Sequence, residues 1–278
     1  PWDEALGLLA AELRALPAPD AAAFYTSGRA SNEAAFLWQL LARAFGTNNL
    51  PDCSNLCHES SGVALTESIG FGKGTVTLAD FEAAEAIFVI GQNPGTNHPR
   101  MMSALAAARA RGARIVSVNP LPEVGLERFK NPQDFLHPLK ALPTLLGDGE
   151  RLADLWVQPR TGGDLALLKG LMKEMLEAEE RAPGTVLDHA FIAEHTAGFA
   201  ALTADLRATP WDAITAGSGV PRDVINAAAR VAMESRATIC CWAMGLTQQP
   251  QAVATIQQVA NLLLLRGNIG RPGAGLCP

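Results

Sequence analysis

The chain has 278 residues, 48% apolar and 18% charged, enough to bury the core of one large or two modest domains. Its formal net charge of −6, with no basic stripe, argues against nucleic-acid binding, so an anionic ligand would be held by backbone N–H groups and a few local cations. No apolar run reaches the ~20 residues of a membrane span, the acidic start Pro1-Trp2-Asp3-Glu4 is no signal peptide, and five cysteines make no disulfide framework at this size, so the expected compartment is the cytoplasm.

Residues 3–14 carry apolar side chains at helical spacing, with Asp3 and Glu4 in the favoured first turn and Pro17 and Pro19 beyond the end. Phe24-Tyr25-Thr26-Ser27 reads as a short strand, and Ser31 as the N-cap of a helix that runs to Phe45 and stops at Gly46. Residues 51–74 read as loop with one helix over 61–69. Within that loop Gly70-Phe71-Gly72-Lys73-Gly74-Thr75 fails as a phosphate-binding P-loop, because glycine splits Lys from Thr and no strand precedes it. Ala86-Ile87-Phe88-Val89-Ile90 reads as a buried parallel strand, residues 99–111 as a helix opened by Pro99, and Arg114-Ile115-Val116-Ser117-Val118 as the next strand, ended by Asn119-Pro120. Leu155-Trp156-Val157 is a short strand before a long helix over 165–180. Helices over 187–194, 198–206 and 221–233, a strand Thr238-Ile239-Cys240-Cys241-Trp242 and a helix over 248–265 follow. The glycine-rich tail from Arg266 to Cys277 reads as a loop, and its abrupt end suggests a piece of a longer chain. Strand, Gly-containing loop, helix, strand is the pattern of an open, mostly parallel, doubly wound α/β sheet.

Two segments carry chemistry. Cys57-His58 offers a soft thiolate ligand for Mo, W, Zn or Fe–S with a proton-carrying imidazole beside it; a buried cysteine next to a surface histidine would look the same. A zinc site from Cys53, Cys57 and His58 lacks a second ligand pair. The loop Gly91-Gln92-Asn93-Pro94-Gly95-Thr96-Asn97-His98 joins a strand to a helix, where free N–H groups and the helix dipole collect phosphates; by itself it is also an ordinary turn. Thr161-Gly162-Gly163-Asp164 and Ala243-Met244-Gly245-Leu246-Thr247-Gln248 also follow strands, so three loops could converge at the carboxyl ends, although Asp164 could equally be a helix cap. No Gly-x-Gly-x-x-Gly follows the strand at 86–90, which disfavours an NAD-type dehydrogenase. His137, His189 and His195 show no ligand spacing and read as surface or helix-cap residues.

Taken together, the chain resembles the formate dehydrogenase branch of the molybdopterin oxidoreductases. The resemblance rests on Trp2-Asp3-Glu4-Ala5-Leu6, Ser27-Gly28-Arg29-Ala30-Ser31-Asn32-Glu33, Gly46-Thr47-Asn48-Asn49, Cys57-His58, Gly91-Gln92-Asn93-Pro94, His98-Pro99, Gly245-Leu246-Thr247-Gln248 and Leu265-Arg266-Gly267-Asn268-Ile269-Gly270, in that order. It implies a formate dehydrogenase/DMSO reductase-like cofactor-binding domain over residues 53–278, preceded at 1–52 by a partial α/β segment of a neighbouring domain. It implies that Cys57 ligates molybdenum or tungsten and that His58 handles protons. It also implies that Gly91, Asn93, Pro94, Asn97, His98, Asn119, Pro120, Gly163, Asp164, Met244, Gly245 and Gln248 line the site of a molybdopterin guanine dinucleotide. Asn119 and Thr96 stand where many members have Asp. In the full-length enzyme the cofactor implied is bis(molybdopterin guanine dinucleotide), with a 4Fe–4S cluster expected from a segment outside this chain. The reaction implied is two-electron oxidation of a small-molecule substrate such as formate, with electrons leaving to a further subunit. The chain by itself is expected to carry no cofactor and to be inactive, with exposed surfaces through which it could oligomerise. The alternative is a non-catalytic α/β nucleotide-binding or regulatory module.

Overall fold

The computed structural model describes residues 1–278 other than Arg29, Asp52, His137, Pro138, Lys140, Ala141, Pro143 and Thr144, and other than the side chains of Gln133 and Asp134. The expectation for His137 therefore lies outside the described residues, as do Arg29 and Asp52 of the motifs quoted above. Backbone contacts divide the chain into two compact units, residues 1–59 and 60–278.

The first unit is built on helices Trp2–Ala15 and Asn32–Phe45. Ser31 caps the second, its side chain accepting from Ala34 N–H at 3.2 Å, and Gly46 ends it at φ 106°, a left-handed conformation that suits glycine. Phe24 packs its ring against Trp38 and Phe45, with centroids 5.6 and 5.7 Å away. The strand expected at 24–27 does not form. Thr26 holds an isolated bridge position, and Phe24 N–H donates to Asn49 O at 2.8 Å, but there is no ladder for the segment to join. Residues 53–57, expected as loop, are the short helix Cys53–Cys57.

The second unit holds a five-stranded sheet in the order β3-β2-β1-β4-β5, with every pair parallel. The strands are β1 Ala86–Ile90, β2 Arg114–Val118, β3 Leu155–Val157, β4 Thr238–Trp242 and β5 Gly275–Cys277. All five residues of β1 and of β4 are buried, as continuous apolar runs in a parallel sheet require, because helices cover both faces. Phe88, Ile90, Val116, Val118, Cys240 and Trp242 face one side, against helices Asp164–Arg181, Arg222–Glu234 and Ala252–Leu264. Ile87, Val89, Ile115, Ile239 and Cys241 face the other, with Met102 and Leu105 of helix Pro99–Ala110. Consecutive residues thus feed two separate cores. Among the described residues no helix is long and apolar enough to cross a membrane.

Several elements differ from expectation. The helix expected over 248–265 forms as Ala252–Leu264, starting after Pro250, which has no N–H to continue a hydrogen-bond ladder, and a separate short helix Met244–Thr247 precedes it. The tail read as a loop contributes edge strand β5, which pairs with β4 from Ile239↔Gly275 to Cys241↔Cys277. Helices Leu78–Ala83 and Trp211–Ser218 are additional.

Candidate cofactor site

The order β3-β2-β1-β4-β5 reverses direction between β1 and β4, and ligands of open α/β sheets lie outside the carboxyl ends of the strands at that switch point. Here the backbones of the loops after β1 and β4 touch. Gly245 N–H donates to Gly91 O at 3.1 Å, and Gly91 N–H donates to Val118 O at 2.8 Å. A Cβ on Gly245 would fall 2.5 Å from Gly91 Cα, and Gly91 itself is left-handed at φ 59°, so neither position admits a side chain.

In the β1 loop, Asn93 caps the short helix Pro94–Asn97, its Oδ1 accepting from Thr96 N–H at 3.2 Å. Pro94 is buried, while Asn97 and His98 are exposed. Gln92 is 7% exposed. Its Nε2 lies 3.2 Å from His98 Nδ1 and 3.6 Å from Met101 Sδ, and its Oε1 is buried without a partner. A buried acceptor left unmet costs free energy, so the loop is short of one donor.

At the end of β2, Asn119 Nδ2 donates to Glu123 Oε1 at 3.0 Å and to Gln92 O at 3.4 Å, while Asn119 O accepts from Trp156 Nε1 at 2.9 Å. Pro120 O accepts from Gln158 Nε2 at 2.7 Å. Burial pushes the Glu123 carboxyl above its ordinary pKa, and the Asn119 bond opposes that. After β3, Arg160 N–H donates to Ser218 O at 2.8 Å, and Gly163 N–H to Arg160 O at 2.9 Å. Asp164 is not the helix cap considered from sequence: Gly163 occupies that place, and Asp164 begins the first turn. Its buried carboxylate accepts from Gln249 Nε2 at 2.8 Å, which ties the β3 and β4 loops together; burial raises its pKa. In the β4 loop Met244, Gly245 and Gln248 belong to or flank helix Met244–Thr247, with Gly245 and Gln248 exposed. Trp242 Nε1 donates to Ser61 Oγ at 3.0 Å beneath it.

Cys57 and His58 belong to the first unit. Cys57 is half-buried at the last residue of its helix, and half-buried His58 donates its N–H to Ser54 O at 3.0 Å. Cys53, one turn earlier, is backed by Gly28, where a Cβ would lie 2.8 Å from its Sγ. Among the described residues no three His, Cys, Asp or Glu side chains gather as a metal site, so the zinc arrangement weighed from sequence is not formed. His189 is bound to Glu179 at 2.7 Å and His195 lies 3.8 Å from Glu194, both partly exposed.

A sequence model of the family described as molybdopterin oxidoreductase matches residues 1–277. The chain belongs to the molybdopterin oxidoreductase family. Over 277 residues it is 55% identical to an uncharacterized oxidoreductase of Mycobacterium bovis, covering 100% of this chain and 35% of that protein. It is 29% identical over 278 residues to a formate dehydrogenase alpha subunit of Methanococcus maripaludis, covering 100% of this chain and 37% of that one. Acetylene hydratase from Pelobacter acetylenicus has the same fold, with a TM-score of 0.66 at 19% identity over 99% of this chain and 34% of that chain. The chain therefore spans about a third of the length of the curated relatives it matches.

The family implies a molybdenum or tungsten pterin cofactor, and the residues of the second unit fit a phosphate-bearing group. Side-chain-free Gly91 and Gly245 allow close approach of backbone to a phosphate, whereas the orphaned Gln92 Oε1 is an acceptor that fits an N–H or O–H of the ligand and not its phosphates. Sequence reasoning missed Gln92, Glu123 and Gln249 as parts of this lining. Gln92 is marked by an oxygen that is left unmet only once the chain folds, and the Gln249–Asp164 bond joins loops far apart in the chain.

Proposed function

We propose that the full-length protein is a molybdenum or tungsten oxidoreductase of the formate dehydrogenase type, and that this chain supplies the crevice for a molybdopterin guanine dinucleotide together with the metal's thiolate ligand. The observation that carries the reading is the reversal of strand order between β1 and β4, where the loop backbones meet at Gly91 and Gly245 beside the unmet Gln92 Oε1. Gly91, Asn93, Pro94, Asn97 and His98 line it from β1, Asn119 and Pro120 from β2, Gly163 and Asp164 from β3, and Met244, Gly245 and Gln248 from β4. When bound, the cofactor supplies two-electron redox chemistry: formate loses two electrons and one proton and leaves as carbon dioxide. Cys57 would hold the metal through its thiolate. His58 takes the proton released from the substrate. A 4Fe–4S cluster and an electron-transfer subunit, both outside residues 1–278, complete the reading, and its compartment is the cytoplasm.

The experiment is purification of the full-length protein from cells supplied with molybdate or tungstate, followed by metal analysis, acid release of guanine nucleotide, and dye-linked formate oxidation. Metal and nucleotide near one and two per chain, with formate-dependent dye reduction, are expected on general stoichiometric grounds. Absence of both metal and nucleotide overturns the reading in favour of a non-catalytic module. Metal and nucleotide without formate oxidation moves the substrate elsewhere within the family.

A further inference from the structure

In sheets wound this way, an acidic side chain near the end of the second strand receives the hydroxyls of a nucleotide's ribose. This chain has an amide there. Asn119 follows β2, and its Nδ2 donates to Glu123 Oε1 at 3.0 Å. The carboxylate four residues on is thus drawn back toward the strand end. Its backbone is fixed as well: Glu123 O accepts from Leu126 N–H at 2.9 Å and from Glu127 N–H at 3.2 Å as helix Val124–Glu127 begins. That helix is pressed onto the β1 loop, since a Cβ on Gly95 would lie 3.0 Å from Gly125 Cα. The same Asn119 amide reaches Gln92 O at 3.4 Å, and the side chain of Gln92 carries the crevice's buried, unpartnered oxygen. Burial raises the pKa of the Glu123 carboxyl and the Asn119 bond lowers it. Asn119 engages Oε1, and a carboxylate's second oxygen can accept from a ligand.

We propose that Glu123 reads the sugar of the bound nucleotide, its carboxylate accepting hydrogen bonds from the 2′- and 3′-hydroxyls of an unphosphorylated ribose. A carboxylate accepts and does not donate, so it selects hydroxyls, and its charge repels a 2′-phosphate. This assignment rests on the crevice being a nucleotide site, and it goes further by fixing which sugar the crevice takes and which residue decides.

The test is calorimetric titration of the cofactor-free full-length protein with GMP and with 2′-deoxy-GMP, in the wild type and in Glu123→Ala and Glu123→Gln, with melting temperatures as a check on folding. Wild type is expected to bind GMP about tenfold more tightly than the deoxy nucleotide, the worth of one hydrogen bond to a charged acceptor. Glu123→Ala should bind both with equal strength, at the wild-type level for 2′-deoxy-GMP. Glu123→Gln, neutral but still an acceptor, should keep part of the preference. A wild type that binds both nucleotides equally, or a Glu123→Ala variant that keeps the full preference, overturns the assignment and leaves the nucleotide site standing. A wild type that binds neither overturns the nucleotide reading and this assignment with it.

Discussion

At the scale of single residues, the candidate chemistry falls on Cys57 and His58, neighbours in sequence with different expected roles. On the proposed reading, Cys57→Ala in the full-length protein should abolish formate oxidation and leave the melting temperature within a few degrees, because the proposed metal ligand is lost and a half-buried side chain packs little. Cys53→Ala, one helical turn away, should be nearly silent; matching losses from both would mark a structural pair of cysteines. For His58→Gln the expectation is different: turnover should fall ~10²–10⁴-fold with metal content unchanged. Wild-type turnover across the pH range would take His58 out of the mechanism. Cys57-His58 and the β1 loop were legible in sequence because each is a continuous run of informative residue types. Gln92 and Glu123 were not, since what marks them is an unmet oxygen and a bond from Asn119, and neither exists until the chain folds.

At the scale of elements, β1, β2 and β4 could be read directly, because a strand buried on both faces is a continuous apolar run. Edge strand β5 could not. It is three residues long and follows a glycine-rich turn, and β4 and Thr75 hold it in place, with Thr75 N–H donating to Leu276 O at 2.8 Å. Helix Leu78–Ala83 left a usable trace, Thr77 three residues before Asp80, whose carboxylate accepts from Thr77 N–H at 2.7 Å. Helix Asp164–Arg181 carries a device that sequence does not reveal. Buried Glu179 accepts from the N–H groups of Gly184, Val186 and Leu187, at 2.5, 2.8 and 3.0 Å, and pairs with His189. Burial alone would raise its pKa, but these bonds win and hold it at about 2, against an ordinary 4.5. A depressed carboxyl contributes stability that is present above its unfolded value and is lost as pH falls through the folded one. The wild type should therefore lose stability between pH 4.5 and about 2, and Glu179→Gln should flatten that slope in urea titrations read by tryptophan fluorescence. Glu179→Ala should cost about 3 kcal/mol at neutral pH, since buried donors are left unmet. A variant with the wild-type acid slope would show that the bonds to Glu179 are not what holds this turn.

At the scale of the molecule, the two units are unequal. Among the described residues of the first, Phe24, Ala42 and Thr47 are buried, while Phe36 and Leu37 are 59% and 63% exposed; the second contains both cores. Amides of residues 1–59 in this chain alone should therefore exchange with deuterium well before those of β1 and β4, and should slow within the full-length protein. Equal protection of both units in the isolated chain would contradict this. The isolated chain should also bind no molybdenum, because it spans about a third of its relatives' length and a cofactor gripped from several sides loses most of its contacts. The doubly wound class was legible from the order of strands and helices, whereas the neighbour of each strand was not. Sequence order puts β2 after β1, but it does not say that Ala86 also pairs with Thr238. That pairing sets a clock on the crevice. The contact between Gly91 and Gly245 closes one of the longest loops in the chain, and long-range parallel pairing is among the slowest events of folding. On a ribosome, β1 and β2 can emerge and collapse long before β4 leaves the exit tunnel. The floor of the proposed crevice is thus assembled late, and on that reading a nucleotide present during synthesis would meet the loop after β1 well before the loop after β4 had joined it.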